Sequence, residues 1–548
     1  MDKCPIVAIL NCKTVANLDC MERNLNECST LDWKQSPGKA LRVSFCALIA
    51  LLGVFQFSEN TVDPDLWGHV VFGRQILETG AIPKVESYSW TACGQPWINH
   101  EWLSELALGA AHKWAGGGGV LLLKMAAGLL TFALCLRLGG AGLAWPARFV
   151  TWCFGALAVV EISYGFAARP QIFTALGLAV ELLLLRRIHA GGRWRALALP
   201  ALFVVWINMH GGALAGFGLL VLTALATSAQ CFWRKIPRGA IVTLWLATGA
   251  VAAVLFCNPW GAGLLSWLID SMLWMRPEIQ EWNQTPLGWD HAAFFLLVAL
   301  GIFAWCCTRR PRAWWELAAC VMFAILGWRA ARNAPLFALT ALALIPPHLA
   351  DALARFRPAF ARLQAAVGTP NSQKIAASLC CCGTLCIGTG TFLLHKEHPL
   401  TMEAPRSQYP VGAVDFLREH EMRGRLLVFF DWGEMAIFQL PDCPPSIDGR
   451  LDTCYSRPLI AEHWKFYNGQ TVNPNILNIN ESDLALLPVN LAGAVELAKR
   501  PGWRTIYYDS LAVVLARDAA RFPKLQKLAL PVAGSEAATA GRMPFPSR

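Results

Sequence analysis

The sequence predicts an α-helical polytopic membrane protein with about eleven transmembrane helices and a C-terminal soluble α/β domain. Three observations support this fold class. Of the 548 residues, 55% are hydrophobic and only 15% are charged. Apolar runs that approach the thickness of a bilayer recur throughout the first 395 residues. From residue 396 onward these runs shorten, and helix-like stretches alternate with strand-like ones.

The formal net charge of +10 does not indicate a nucleic-acid partner. The Lys and Arg residues collect in short loops between apolar segments, where they act as signals of membrane topology. The 19 Cys are scattered, and several lie within apolar segments, where a thiol behaves as a small hydrophobic group. They therefore indicate no redox compartment.

Residues 1–37 contain charges of both signs and no apolar run long enough to span a membrane. This pattern predicts a cytosolic segment rather than a cleavable secretory signal. The segment contains four cysteines at a spacing of about eight residues, whereas metal sites use tight Cys-x-x-Cys pairs. They are Cys4, Cys12, Cys20 and Cys28. We therefore predict no metal role for them.

A transmembrane domain is predicted over residues 38–395. Its first span, near 40–57, follows Lys34, Lys39 and Arg42, which places the N-terminus in the cytosol. The further apolar segments lie near 116–137, 146–164, 171–185, 196–209, 213–232, 240–257, 291–307, 313–329, 335–350 and 376–395. An odd number of spans puts the C-terminal part outside the cytosol. The basic residues lie in alternate loops, which indicates the same orientation. Residues 101–115 are a candidate re-entrant helix.

A periplasmic α/β domain is predicted over residues 396–532. Residues 411–423 have a helical pattern, and residues 425–430 and 505–516 have the composition of strands. The final residues, 533–548, are rich in Ala, Gly, Ser and Pro and are predicted to be disordered.

The external loop predicted over residues 58–105 is the first candidate site. It is polar and aromatic, and it gathers more titratable side chains than a connecting loop needs. These candidate catalytic residues are Asp63, Asp65, His69, His100 and Glu101. Carboxylates of this kind act as a general base or bind a divalent cation.

Further charged residues are predicted at the outer ends of spans, where they mark a cavity or a substrate path. Arg169, His210, Arg329 and Arg332 are candidates to bind the phosphate of an anionic donor. Glu281, with Glu278 nearby, is a candidate to bind Mg²⁺ or Mn²⁺ together with Asp63 and Asp65. Taken singly, each of these residues is commonplace in a turn or at a membrane interface. Their convergence on one face favours a functional cavity.

The layout of a first span, an acidic external loop, many further spans and an external α/β domain resembles the GT-C membrane glycosyltransferases. Asp63-Pro64-Asp65-Leu66-Trp67, followed by Arg74 and Gly80, looks like the acidic opening of the oligosaccharyltransferase catalytic subunit. Phe429-Phe430-Asp431-Trp432-Gly433 and Ser446-Ile447-Asp448-Gly449-Arg450 look like a divergent form of its WWDYG motif and the strand after it. The resemblance implies a polyprenyl-phosphate sugar donor, and an acceptor site around Asp431, Asp448 and Arg450.

The function predicted is transfer of a sugar from this donor to a periplasmic protein, lipid or glycan acceptor at a bacterial inner membrane. Two alternatives remain open at this point. A transporter or flippase of an anionic lipid-linked substrate would place its charges at the bilayer midplane and show inverted repeats. A non-catalytic membrane assembly protein would keep the fold with a degenerate site. The sequence leaves the sugar, the acceptor and the oligomeric state open.

Overall fold

The computed structural model describes residues 38–234, 239–274, 276–355, 369–396, 398 and 400–546. The predicted cytosolic segment 1–37, with its four cysteines, lies outside the described residues, as do the parts of the predicted basic loops at 235–238 and 356–368.

Helices account for most of the chain up to residue 394. They are α1 Lys39–Phe57, α2 Leu66–Thr79, α3 Trp102–Gly139, α4 Trp145–Ser163, α5 Gln171–His189, α6 Ala198–Met209, α7 Ala213–Arg234, α8 Gly239–Val254, α9 Ala262–Leu273, α10 Ala292–Cys307, α11 Trp314–Arg329, α12 Ala334–Leu344, α13 Pro346–Ala354 and α14 Pro370–Leu394. Each apolar segment singled out in the sequence is helical.

Several of these helices have the length and the apolar composition of membrane-spanning helices. Among the described residues, five are long and apolar enough to cross one, or six if α12 and α13, bent by 57°, form one span. The five are Lys39–Phe57, Trp102–Gly139, Ala213–Trp233, Trp289–Cys307 and Pro370–Leu393. The chain is therefore a multi-pass membrane protein. Eleven complete spans stay a prediction, because helices such as α6 are only 12 residues long.

The first and last long helices, α1 and α14, pack side by side and run in the same direction. Gly38, before α1, donates its N–H to Gln373 near the start of α14 at 2.8 Å. At the other end, Gly390 of α14 faces Phe55 of α1. Since both helices leave the bundle at the same end, the segment after α1 and the domain after α14 emerge on one side.

Helix α2 lies inside the segment that the sequence predicts as an external loop. Its apolar residues, among them Leu66, Val70 and Ile76, are buried, and it ends at Gly80, where φ is 66°. It packs on α3 so closely that a Cβ at Gly73 would lie 1.8 Å from the carbonyl oxygen of Glu105. A glycine is therefore required at this crossing.

Helix α3 consists of two parts. The backbone is non-helical at Ala115 and Gly116, where the glycine has φ 59°. Residues 102–114 precede this break and pack on α2, whereas the following residues continue into the membrane bundle. The stretch predicted as a candidate re-entrant helix is thus the outer part of α3.

The C-terminal region contains a five-stranded mixed sheet with strand order β2-β3-β5-β4-β6. The strands are β1 Glu403–Pro405, β2 Leu426–Val428, β3 Leu484–Pro488, β4 Trp503–Tyr508, β5 Ala512–Arg517, β6 Val532–Ala533 and β7 Arg542–Pro544, with helices α15 Val411–Glu419, α16 Gly433–Gln439, α17 Arg457–Tyr467 and α18 Ala492–Ala498. The strand-like stretch 505–516 is a hairpin, because Asp509 accepts the N–H groups of Leu511 and Ala512 and forms its turn.

The disordered end predicted for residues 533–548 differs from the structure. Strand β7 pairs antiparallel with β1, and Phe545 is 2% exposed and packs on Trp67 of α2. A local reading of composition misses this order, because the partner strand lies more than a hundred residues upstream.

The segment around α2 shares a hydrophobic core with the C-terminal region. Val62, Leu66 and Trp67 belong to the same buried cluster as Tyr409 and Phe545. Thr61 also forms a bridge with Glu403 of β1, and the Tyr409 hydroxyl donates to the carbonyl of Val62 at 2.9 Å. The acidic opening of the external segment is therefore held against the C-terminal region.

Candidate active site

The guanidinium of Arg169 lies at the centre of the candidate site. It comes from the short link between α4 and α5. Its Nε–H donates to Asp63, its Nη2 lies 3.3 Å from Asp65 Oδ2, and its Nη1 lies 3.3 Å from Glu281 Oε2. Asp63 and Asp65 precede α2, and Glu281 belongs to the segment between α9 and α10. Three carboxylates from two segments that are remote in sequence thus converge on one cation.

This arrangement does not fit the metal centre predicted from Asp63, Asp65 and Glu281. Each carboxylate directs an oxygen at Arg169, so the guanidinium takes the place between them that a cation would need. No group of three or more His, Cys, Asp or Glu side chains in the described part of the chain is arranged to hold a metal ion. Arg169 itself, predicted to bind donor phosphate, contacts these acids instead.

Asp63 and Asp65 differ in their surroundings. Asp63 also accepts the N–H of Asp65 at 3.0 Å, which fixes it at the start of α2. Desolvation raises the pKa of Asp65 to about 7, with Arg169 opposing the shift and the charge of Asp63 adding to it. A carboxyl with a pKa near neutrality suits general-base chemistry.

Arg332 lies beside this cluster and is less fully compensated. Its Nη1 is 3.3 Å from Glu281 Oε1, and its guanidinium stacks 4.3 Å over the ring of Trp282. Burial, together with the charge of Arg169, lowers the pKa of Arg332, although Glu281 opposes this. For Arg169 the net change in pKa is in the opposite direction. Burial lowers its pKa, but the three carboxylates outweigh burial and raise it well above the ordinary value.

Arg329, predicted to bind phosphate as well, ends α11 three residues before Arg332. It is exposed, and among the described residues no ion pair joins it to the cluster. The structure therefore brings Arg332 into the candidate site and leaves Arg329 outside it.

His100, Glu101 and His210 form a second group next to Arg332. Glu101 Oε1 lies 3.5 Å from His100 Nε2 and 3.6 Å from His210 Nε2. Burial raises the pKa of Glu101, but His100 and the neighbouring cations outweigh burial, so that this pKa lies below its ordinary value. Burial lowers the pKa of His210 to about 3, so this imidazole is neutral at physiological pH.

The tautomer of His210 follows from its hydrogen bonds. Its Nδ1 accepts the N–H of Gly212 at 3.0 Å and lies 2.8 Å from the Thr174 hydroxyl. Thr174 in turn accepts the indole N–H of Trp206. Because Nδ1 is an acceptor, the proton resides on Nε2, which faces Glu101. His210 therefore presents an N–H donor rather than a positive charge.

His69 projects from α2 toward α3. Its Nδ1 lies 3.6 Å from Glu105 Oε1. Burial lowers the pKa of His69, but the carboxylates of Glu105, Glu101 and Asp65 outweigh burial and raise it. The predicted polar network of the external segment thus extends from Asp65 through His69 to Glu105.

The three residues predicted to bind an acceptor do not lie together on one surface. Asp431 is exposed and lies within electrostatic reach of Asp63 and Arg169. Asp448 and Arg450 are buried, at 0% and 7% exposure. Arg450 pairs with Asp448 and with Glu86 of the external segment, between the rings of Phe72 and Trp97. These buried ion pairs join the external segment to the C-terminal region instead of facing solvent.

Glu434 and Gly449 support Asp65 from the C-terminal region. Glu434 is buried and accepts the N–H of Gly68 at 3.0 Å. A Cβ at Gly449 would lie 2.4 Å from Asp65 Oδ1 and 2.8 Å from Glu434 Oε1. Sequence reasoning missed Glu434, Glu86 and Thr174. The one available signal was that Glu434 directly follows the Asp431-Trp432-Gly433 motif.

No protein-family model matches the chain, and neither does any curated protein. Several solved structures do match the chain. ArnT from Cupriavidus metallidurans in the apo state matches with TM-score 0.52 at 14% identity, over 86% of this chain and 97% of ArnT. The same protein bound to undecaprenyl phosphate matches with TM-score 0.50, 14% identity and the same coverage. The archaeal oligosaccharyltransferase AglB from Archaeoglobus fulgidus, in complex with an inhibitory peptide and a dolichol-phosphate, matches with TM-score 0.51 at 10% identity, over 81% of this chain and 69% of AglB.

The predicted resemblance is thereby confirmed at the level of the fold. These likenesses extend over 86% of this chain. This chain therefore shares its fold with ArnT and AglB.

Proposed function

We propose that this protein is an integral membrane glycosyltransferase that moves a sugar from a polyprenyl-phosphate carrier to an acceptor outside the cytosol. The observation that supports it best is the convergence of Asp63, Asp65, Glu281, Arg169 and Arg332 within a chain of GT-C fold. An acidic base beside an incompletely compensated arginine is the combination that transfer from a phosphate carrier requires.

Arg332 is the residue we assign to the donor phosphate. Its guanidinium is partly buried and contacts a single carboxylate among the described residues, that of Glu281. A buried cation of this kind gains most when an anion arrives. Arg169 is surrounded by three carboxylates and is already compensated, so its role is to position them. The Nε2–H of His210 supplies a neutral donor on the same side.

Asp65 is the residue we assign as general base. In the proposed reaction an acceptor hydroxyl attacks C1 of the sugar, and Asp65 takes the hydroxyl proton. The new bond joins C1 to the acceptor oxygen, while the bond between C1 and the phosphate oxygen breaks. The phosphate leaves with that electron pair, and Arg332 stabilises its charge. Asp63, held by Arg169, keeps the start of α2 in place.

The orientation that we propose is a cytosolic N-terminus, with the external segment and the C-terminal domain in the bacterial periplasm. The parallel packing of α1 and α14 supports placing these two parts on one side. The proposed domains are 1–37, 38–395 with the segment 58–105, and 396–532, to which strand β7 adds residues beyond 533. Eleven spans remain part of this proposal.

The test is a transfer assay with the purified chain in nanodiscs, a radiolabelled polyprenyl-phosphate sugar and a periplasmic extract as acceptor. Asp65→Asn keeps the shape of the side chain and removes its charge, so transfer should fall by at least about 100-fold with donor binding retained. Asp290→Asn, an exposed acidic position between α9 and α10, is the matched control and should transfer normally. Transfer that survives Asp65→Asn contradicts the base assignment. Absence of transfer by the unaltered chain contradicts the function and favours a transporter.

A further inference from the structure

A cavity of about 370 Å³ lies between the segment after α9 and helix α17 of the C-terminal domain. One wall contains Trp274, Arg276 and Glu278, and the other contains Arg457, Ala461 and Trp464. It is outside the acidic cluster, and apart from Glu278, which was named beside the predicted metal ligand Glu281, its residues have no role described above. Its volume accommodates one or two sugar rings or a short peptide segment.

The cavity lies beside the candidate active site. Arg276 stacks 4.4 Å from the centre of the Trp282 ring, and Arg332 stacks 4.3 Å from the centre of the same ring. A single tryptophan therefore separates the cavity wall from the arginine assigned to the donor phosphate. A molecule bound in the cavity would therefore lie across Trp282 from Arg332.

The polar groups of the cavity are paired but incompletely satisfied. Arg276 is 6% exposed and pairs with Asp452 at 2.9 Å. Its Nε–H has no hydrogen-bond acceptor within the described chain, and Oδ2 of Asp452, which lies behind Arg276 and does not line the cavity, is likewise buried without a donor. Leaving such groups unsatisfied is costly, so a ligand that both donates and accepts hydrogen bonds fits this position.

The charges of the cavity argue against an anionic ligand. Arg276 is compensated by Asp452, and Arg457 is compensated by Asp270. Glu278 adds a further negative charge to the wall. Trp464 supplies an apolar ring surface, which suits the C–H face of a pyranose, and Trp274, which Arg276 and Arg457 already cover, closes the opposite wall. The hydroxyls of a pyranose match the Arg276 guanidinium.

We propose that this cavity binds a neutral glycan and that the acceptor of the reaction is such a glycan. The identification of the acceptor rests on the proposed function, whereas binding does not. A hydroxyl of the bound glycan is the oxygen that forms the bond to C1 of the donor sugar, and it loses its proton to Asp65. We call this cavity the glycan groove.

Binding is tested directly by saturation-transfer difference NMR with the full chain in nanodiscs. The probes are maltohexaose and triacetylchitotriose, and an uncharged hexapeptide of Gly, Ser and Ala is the comparison. The unaltered chain should bind at least one of the two sugars and should not bind the peptide. Binding of the peptide alone, or of none of the three, overturns the proposal.

The variant that tests the location is Ala461→Phe, which fills the glycan groove from an exposed position on α17. Sugar affinity should fall at least tenfold, at an unchanged melting temperature. Ala498→Phe, an exposed alanine at the end of α18, is the matched control and should bind as the unaltered chain does. Sugar binding that is equal in both variants overturns the assignment to this cavity.

Transfer assays separate the two proposals. With the sugar that binds as acceptor, Ala461→Phe should raise KM at least tenfold. If the chain binds a sugar but transfers none, the assignment of the glycan groove is supported and the proposed function is contradicted. If the chain transfers sugar to a periplasmic extract but binds neither sugar, the assignment of the glycan groove is contradicted and the proposed function is supported.

Discussion

Arg332 pairs with Glu281 at 3.3 Å, and Arg169 pairs with the other oxygen of the same carboxylate at the same distance. Glu281 is thus shared between a guanidinium that is fully compensated and one that is not. This sharing separates the two arginines by role, because an incoming phosphate competes for Arg332 without dismantling the contacts of Arg169 to Asp63 and Asp65.

Arg332→Lys should weaken the binding of a polyprenyl-phosphate donor by roughly tenfold, because Lys cannot reproduce the planar, bidentate geometry of a guanidinium. Equilibrium binding of a fluorescent polyprenyl phosphate measures the effect. Arg329→Lys is the control, since Arg329 is exposed at the end of α11, three residues before Arg332. Equal affinities in the two variants would remove Arg332 from the donor site.

The transfer rate should depend on pH through Asp65, whose pKa is raised to about 7. Below that pH the carboxyl is protonated and cannot accept a proton, so kcat/KM should fall about tenfold for each further pH unit. Above it, kcat/KM should level off. The apparent pKa belongs to the coupled acidic cluster. A profile that is flat between about pH 6 and about pH 8, with donor binding constant, would refute the assignment of Asp65.

Gly449→Ala should lower transfer by about 100-fold while the protein remains folded, because the added Cβ would lie 2.4 Å from Asp65 Oδ1 and displace that carboxylate. Gly288→Ala serves as the control. Gly288 has φ −162°, and a Cβ there would meet no atom within 4 Å. The comparison is made by initial transfer rates and melting temperatures. Normal activity of Gly449→Ala would show that Asp65 tolerates displacement.

Arg450→Met should destabilise the external part of the protein by about 3–5 kcal/mol, because it leaves the buried carboxylates of Asp448 and Glu86 without their partner. Arg425→Met removes an ion pair to Glu481 whose two side chains are both 50% exposed, and should cost at most about 1 kcal/mol. Unfolding in denaturant, followed by protease sensitivity of the C-terminal region, measures both variants. Equal stability of the two would mean that Arg450 is dispensable to the fold.

The apolar segments could be predicted from the sequence, because length and composition act locally. The convergence of Asp63, Asp65, Arg169 and Glu281 on one side could be predicted as well, because the alternation of apolar segments and basic loops assigns all four to the same end of the predicted spans. The ion pairs between them could not be predicted, because more than a hundred residues separate Asp63 from Arg169. In addition, no local signal distinguishes a carboxylate that binds a metal from one that binds a guanidinium.

Helix α2 and the contacts that Glu434 and Gly449 make with it escaped prediction for a related reason. Helix α2 begins at the Asp63-Pro64-Asp65 turn, and its apolar residues pack on the C-terminal region rather than on a neighbouring span. Glu434 and Gly449 are supports of Asp65, but their sequence contains no pattern that points to a residue almost four hundred positions earlier. Such contacts follow from tertiary packing alone.

The pairing of β1 with β7, and the bridge of Thr61 to Glu403, have a consequence for how the protein is made. The acidic segment is synthesised early, yet Glu434, Gly449 and Phe545, which pack against it, are synthesised late. A ribosome must therefore complete almost the whole chain before Asp65 acquires its surroundings. An incomplete translation product contains every candidate carboxylate of the first segment but lacks the environment that makes one of them a base.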